Sequence, residues 1–210
     1  MTVVLVHGNP ETDAIWGPLV DALGRDDVMR LSPPGFGAPL PDDFSATYLA
    51  YRDWLEDELE RIDEPVDLVG HDWGGGHVIN VVMHRPGLVR SWASDCVGLF
   101  DPDYVWHDLA QVWQTPGDGE QHVDTMLGGT VEDRAAQMTA LGIPADIATS
   151  IAAAQSGDGS GDPVLVPLGA ATRDGRSWPR AGVCRGSTGT FTASHRGSIH
   201  RLRRHPASRG

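Results

Sequence analysis

The sequence predicts an α/β protein, with a mostly parallel sheet, helices on both faces and a helical insertion. Three observations carry that expectation. Short runs of β-branched residues alternate with stretches of helical period; the runs are continuously apolar, as strands covered on both faces are; and residues 102 to 155 break into a succession of short helical strings.

The elements follow in order. TVVLVHG, residues 2 to 8, is an unbroken apolar run ending in glycine and reads as a buried strand. A helix is expected from about Asp13 to Leu23, closed by Gly24. VMRL, residues 28 to 31, is a second strand, and the prolines and glycines of SPPGFGAPLPDD then forbid regular structure. From Ser45, read as an N-cap, Tyr48, Tyr51, Leu55, Leu59 and Ile62 recur at three or four, the stripe of an amphipathic helix. VDLV, residues 66 to 69, is a third strand. A helix then runs to about His84, Pro86 stops it, and LVRSWASDCV supplies a fourth strand. PDYVWHDLAQVW, EQHVDTML, VEDRAAQMTALG and PADIATSIAAAQ read as short helices, with Trp106 and Trp113, seven apart, on one helical face.

Length and composition bound the function. A chain of 210 residues suits one domain, at roughly 100 to 200 residues per domain. Cys96 and Cys184 stand far apart without metal-ligand spacing, so neither a disulfide framework nor a zinc knuckle is expected, and a reducing cytoplasm fits. No early stretch has the form of a signal peptide and none approaches a membrane span. Residues 1 to 155 hold 26 Asp and Glu against 7 Arg, a formal charge of −19, which argues against nucleic acid as a partner. Residues 156 to 210 hold 3 Asp against 9 Arg, and glycine, arginine, serine and proline make up 30 of those 55 positions. That segment has no sustained period and reads as an irregular, disordered tail.

The chemistry concentrates in DLVGHDWGGGHV, residues 67 to 78. Gly70 and Gly74 bracket Asp72 two residues to either side, between a strand and a helix. Small residues there let the backbone turn sharply enough to hold the middle side chain up and exposed. The helix behind it aims free backbone N–H groups at negative charge forming beside the carboxylate, an arrangement that suits a nucleophile. A simple glycine turn with a capping aspartate would have the same letters. His71, His77 and His84 have no clustered partners in the sequence and read as packing or surface residues, with no metal site.

LVHGNPE at residues 5 to 11 and GHDWGG at 70 to 75, joined by this order of strands and helices, resemble the α/β-hydrolase superfamily over about residues 2 to 155. Aspartate followed by tryptophan in the elbow resembles the haloalkane dehalogenases and epoxide hydrolases, where esterases place serine. The resemblance implies an aspartate that attacks a substrate carbon, forming an ester that a histidine-activated water later hydrolyses. It divides the chain into residues 1–100 as the N-terminal part of the core, 101–155 as a helical cap segment and 156–210 as the tail.

The two groups differ in what receives the leaving group. Asn9 and Trp73 match the halide-binding asparagine and tryptophan of one dehalogenase subgroup, and both are N–H donors that cannot lose a proton. The PET at residues 10 to 12 looks more like the epoxide hydrolases, for which Tyr104, the one tyrosine of the cap segment, would be the acid that protonates an alkoxide. In either group the backbone N–H groups of Asn9 and Trp73 would form the oxyanion hole. The expected partner is a small apolar substrate, and neither a metal nor an organic cofactor is implied.

The pattern breaks at the C-terminus. The resemblance implies a histidine on a loop after the last strand, and His195, His200 and His205 in ASHRGSIHRLRRHPAS lack its context, so the role falls to none of them. Asp95, at the end of the strand after the elbow, is the candidate acid, although Cys96 takes the matching register and one residue of slip turns a strand side chain to the other face. Reading GDGSGDPVLVP one nucleotide later permits codons for Glu-Met-Gly-Arg-Ala-Ile-Leu-Ser-Leu-Tyr-Arg, so the sequence leads us to expect a frame shift or truncation near residue 155. The chain also opens directly on the strand before HG, without the strands that usually precede it in the family. Two functional expectations follow: an aspartate-nucleophile hydrolase of haloalkanes or epoxides, or an incomplete remnant that only binds ligand or stops at the ester.

Overall fold

The computed structural model describes residues 1–95 and 105–155, together with the strand residues 190–191, 193–195 and 198–200. Strands β1 (Val3–Val6), β2 (Val28–Leu31), β3 (Val66–Gly70) and β4 (Val89–Ser94) lie in the order β2-β1-β3-β4, all parallel. β1 is central and wholly buried, as its unbroken apolar run requires. Its side chains alternate between two cores. Val4 and Val6 face one with Val66 and Leu68, against Leu55 and Leu59 of helix α2 (Tyr48–Glu60) and Val78, Val81 and Val82 of helix α3 (Trp73–His84). Val3 and Leu5 face the other, against Trp16 and Val20 of the segment leading into and through α1 (Gly17–Leu23). Helices therefore cover both faces. Each fully buried side chain such as Leu5, Leu55 or Leu68 contributes about 1.5–3 kcal/mol relative to exposure.

Several boundaries depart from those read in the sequence. The stretch from Asp13 to Leu23 is two elements: Thr12 caps a 3-10 turn over Asp13–Trp16, and α1 follows to Gly24, whose φ of 58° closes it in the left-handed region. Helix α2 is capped by Thr47, whose Oγ1 accepts from Ala50 N at 3.2 Å. Ser45 lies one residue too early to reach that N–H and meets the Thr47 hydroxyl at 3.3 Å instead.

Residues 105–155 contain α4 (Asp108–Trp113), α5 (Asp118–Leu127), α6 (Val131–Ala140) and α7 (Ala145–Ala154). Thr130 and Asp133 form a capping box that starts α6. Helices α6 and α7 pack through Ala135, Met138, Ala148, Ile151 and Ala152, and Ile15 reaches this cluster from the core side. Gln155, just past α7, donates from Nε2 to the Pro10 carbonyl at 2.9 Å, fastening the end of α7 to the loop after β1. Trp106 and Trp113 do not share a helical face: α4 begins at Asp108, capped by His107, so Trp106 lies outside it while Trp113 is buried.

In the segment expected to be irregular, Thr190–Phe191 forms β5, which extends the sheet beside β4, and Ala193–His195 (β6) pairs antiparallel with Ser198–His200 (β7). Tyr104, Cys96 and His205 lie outside the described residues. Among the described residues no helix is long and apolar enough to cross a membrane.

Candidate active site

The site forms at the C-terminal ends of β1, β3 and β4. Asp72 stands two residues past the end of β3 with φ 52° and ψ −123°, a backbone that residues other than glycine rarely adopt. The strain is enforced by close packing on either side of it. A Cβ on Gly74 would lie 2.2 Å from the Val6 carbonyl oxygen, and one on Gly70 would lie 2.5 Å from that of Gly74, so α3 seats against β1 only because both positions are glycine. A Cβ on Gly8 would lie 2.3 Å from Asp72 Oδ1. The elbow and the loop after β1 are thus in contact through glycine backbones.

That contact brings Asn9 to the carboxylate: its backbone N–H donates to Asp72 Oδ1 at 3.2 Å, 63 residues away in the chain. The Asn9–Pro10 peptide is cis. Asp72 is half-buried at the mouth of the elbow, where the sequence leads us to expect a presented side chain. Burial pushes its carboxyl above the ordinary carboxylate range, and the backbone N–H groups of Trp73 and Asn9 act against that rise. The N-terminus of α3 opposes it too, by placing positive partial charge beside the carboxylate. The Asn9 side-chain oxygen is buried with no partner among the described residues. Trp73 stacks on Trp106, ring centroids 6.1 Å apart and planes 16° from parallel, so the segment leading into α4 meets the elbow through two indoles.

Asp95 lies just past β4, half-buried. Its Oδ1 accepts from His71 Nδ1 at 2.8 Å and from the Asp72 N–H at 3.3 Å, and its own N–H donates to the Gly70 carbonyl. The other ring nitrogen of His71 is 3.4 Å from Glu11 Oε1, while Glu11 Oε2 accepts from the Gly8 N–H at 3.2 Å. Trp16 meets the His71 ring edge-on at 6.3 Å. His71, read from sequence as packing or surface, therefore joins two carboxylates. Glu11, noticed in the sequence only as part of PET, is one of them. The signal was present, a glutamate three residues after the glycine of HG and a histidine beside the elbow aspartate, but nothing local says that they meet.

Behind the site lies a histidine pair. His7 is fully buried; Nδ1 donates to the Gly8 carbonyl at 2.8 Å, so Nε2 accepts from the Ser32 hydroxyl at 3.1 Å. Burial lowers its pKa. His77 on α3 stacks on Tyr51 at 4.8 Å, and burial, with the neighbouring His7, pushes it down to about 3. Both are neutral core groups that support β1 and α3 where they carry the loop and the elbow. His84, at the end of α3, bonds to the buried Glu56 at 2.8 Å and belongs to packing between α2 and α3.

Comparison with known proteins bears on the family and the fold. The probable oxidoreductase EphD of Mycobacterium tuberculosis is 30% identical over 131 residues, covering 54% of this chain and 21% of that protein. A haloalkane dehalogenase of Mesorhizobium japonicum is 29% identical over 135 residues, covering 58% and 42%. The chain thus spans less than half the length of either relative. In fold it is similar to the epoxide hydrolase VrEH1 of Vigna radiata, with a TM-score of 0.65 at 19% identity, over 91% of this chain and 72% of that one. Residues 3–186 match the Alpha/beta hydrolase family, a match that runs past residue 155, and with its parallel sheet and strand–elbow–helix turn the chain belongs to that family.

Proposed function

We propose that the chain is built for aspartate-nucleophile hydrolysis of small apolar haloalkanes through a covalent ester. The observation that carries this reading is Asp72, held at positive φ on the elbow with one oxygen fixed by the Asn9 N–H. With Oδ1 so held, Oδ2 is the atom that attacks carbon. The carbon–oxygen bond forms as the carbon–halogen bond breaks, and the halide leaves with the bonding pair. Oδ1 becomes the carbonyl oxygen of the ester. When water adds to that carbonyl, its proton passing to the histidine base that the resemblance implies, charge grows on the oxygen already facing the Asn9 N–H, with the Trp73 N–H as second donor; collapse then breaks the ester bond, and the alcohol leaves with that proton as the Asp72 carboxylate is restored.

The buried Asn9 carboxamide supports the halide reading, because half a turn of the amide presents its N–H groups where the unpartnered oxygen lies. Trp73 is the second leaving-group contact in this scheme. In this scheme Asp95, at the end of the strand after the elbow, is the acid, and one of its oxygens is already engaged by His71. Epoxide opening is the second reading, favoured by Glu11, whose PET context looks like the epoxide hydrolases and whose carboxylate is tied into the site. The third is a chain that forms the ester and stops.

One assay separates the three. The protein is incubated with a haloalkane or an epoxide, and halide, diol and intact mass are followed. Steady halide release supports dehalogenation and steady diol formation supports epoxide hydrolysis. One equivalent of halide with a mass adduct on Asp72 identifies the arrested ester, and neither adduct nor product rejects the nucleophile assignment.

A further inference from the structure

Three segments meet on the His71 ring: the loop after β1 through Glu11, the elbow through His71 itself, and the end of β4 through Asp95. Among the described residues, the titratable groups facing the ring are Glu11, Asp95 and, more distantly, the Asp72 carboxylate; Trp16, packed on its edge, does not titrate. Nδ1 hydrogen-bonds to Asp95 at 2.8 Å and Nε2 lies at ion-pair distance, 3.4 Å, from Glu11, and a carboxylate only accepts. A neutral imidazole donates from one nitrogen and turns a lone pair towards the other carboxylate. Only the doubly protonated ring offers an N–H to both carboxylates at once. Each anchor also holds backbone of the site, since Glu11 takes the Gly8 N–H and Asp95 takes the Asp72 N–H.

We infer that His71, as an imidazolium, is a positioning residue that fastens the Asp72 elbow to the loop carrying Asn9, with Glu11 and Asp95 as its two anchors. The inference rests on the proposed roles of Asp72 and Asn9, whose 3.2 Å contact it maintains. It does not touch the reacting atoms. Loss of the ring proton releases one anchor, so the alignment of nucleophile and oxyanion donor loosens as pH rises, opposite in sign to the ionisation that Asp72 needs to attack.

The test uses the full chain labelled with ¹⁵N, at about pH 6 and about pH 9, on either side of the ordinary imidazole range. At the lower pH both His71 nitrogens are expected to carry protons. Protection of the Asn9 and Asp72 amides against hydrogen exchange, corrected for the intrinsic rate, is expected to fall about tenfold at the higher pH, the order of one charge-assisted hydrogen bond. In His71→Gln protection should sit at the lower level at both pH values. Glu11→Gln, which keeps the ring and Asp95 in place, should reduce protection at the lower pH alone and serves if His71→Gln does not fold. A ring nitrogen without its proton at about pH 6, or protection indifferent to pH in the unaltered chain, overturns the inference. Neither readout depends on turnover, so failure of the haloalkane assay would reject the nucleophile reading while leaving this result to stand or fall separately.

Discussion

The Asp72 carboxylate and the Asn9 backbone N–H, 63 residues apart in the chain, lie 3.2 Å from one another, with Gly8 filling the space where any side chain would collide with Asp72 Oδ1. Gly8→Ala therefore tests the proposed nucleophile geometry directly. Its Cβ would stand 2.3 Å from that oxygen, and the carboxylate must turn away. Alkylation of Asp72 by a haloalkane, followed by intact mass, should slow about a hundredfold, the loss expected from a displacement of about 1 Å in a reacting group. An unchanged alkylation rate would show that the alignment is not required.

Asp72 sets a pH dependence. Burial raises its carboxyl, so its folded pKa lies above the unfolded one, and the proton binds more tightly in the fold. The attacking carboxylate is lost as pH falls through that raised value, and alkylation should fail at a higher pH than an ordinary carboxylate would dictate. The same sign makes ionised Asp72 a cost to stability: its favourable contribution is fully present below the unfolded pKa and lost as pH rises through the folded one. Asp72→Asn should abolish the adduct and stabilise the protein at neutral pH by about 0.5–2 kcal/mol, read by denaturant midpoint.

His77 gives an opposite window. Its pKa is pushed down to about 3, so the unfolded chain takes up the proton first as pH falls. The stability from neutral His77 is present above about pH 6.5 and drains away at about 1.4 kcal/mol per pH unit towards its folded value. His7, also lowered, adds to the slope. His77→Phe, which keeps a ring against Tyr51, should flatten the stability profile below about pH 6.5. A profile as steep as that of the parent chain would place the acid sensitivity elsewhere.

Trp73 and Trp106 supply an optical test of the cap. Stacked indoles give an exciton couplet in the far-ultraviolet circular dichroism, and Trp106→Phe should remove it. The pair contributes about 0.5–1.5 kcal/mol beyond its buried area, so the substitution should cost that order in stability. It should also open the space beside the elbow, raising reactivity towards bulkier haloalkanes relative to small ones. Persistence of the couplet in Trp106→Phe would mean that the two rings are not its source.

Much of the architecture was legible because it rests on local rules. The continuous apolar run of β1 requires cover on two faces, the stripe through Tyr51, Leu55 and Leu59 requires a helix, and Gly70 and Gly74 around Asp72 require a sharp turn between strand and helix. Each is a statement about neighbours within a few residues. The choice of Thr47 over Ser45 as a cap depended on where the first helical turn begins, a matter of one residue. Trp106 fell outside α4 because His107 caps that helix, and it found its ring partner at Trp73 instead.

By itself the sequence determined the α/β pattern, the elbow and the identity of its central aspartate, since spacing and backbone freedom are written residue by residue. Only the tertiary structure decided what surrounds that aspartate: Asn9 at its oxygen, Trp106 over Trp73, and His71 held between Glu11 and Asp95. The physical reason is that hydrogen bonds and ion pairs act over a few ångströms of space. The ends of β1, β3 and β4 become neighbours only when parallel strands register, which no short window of sequence contains.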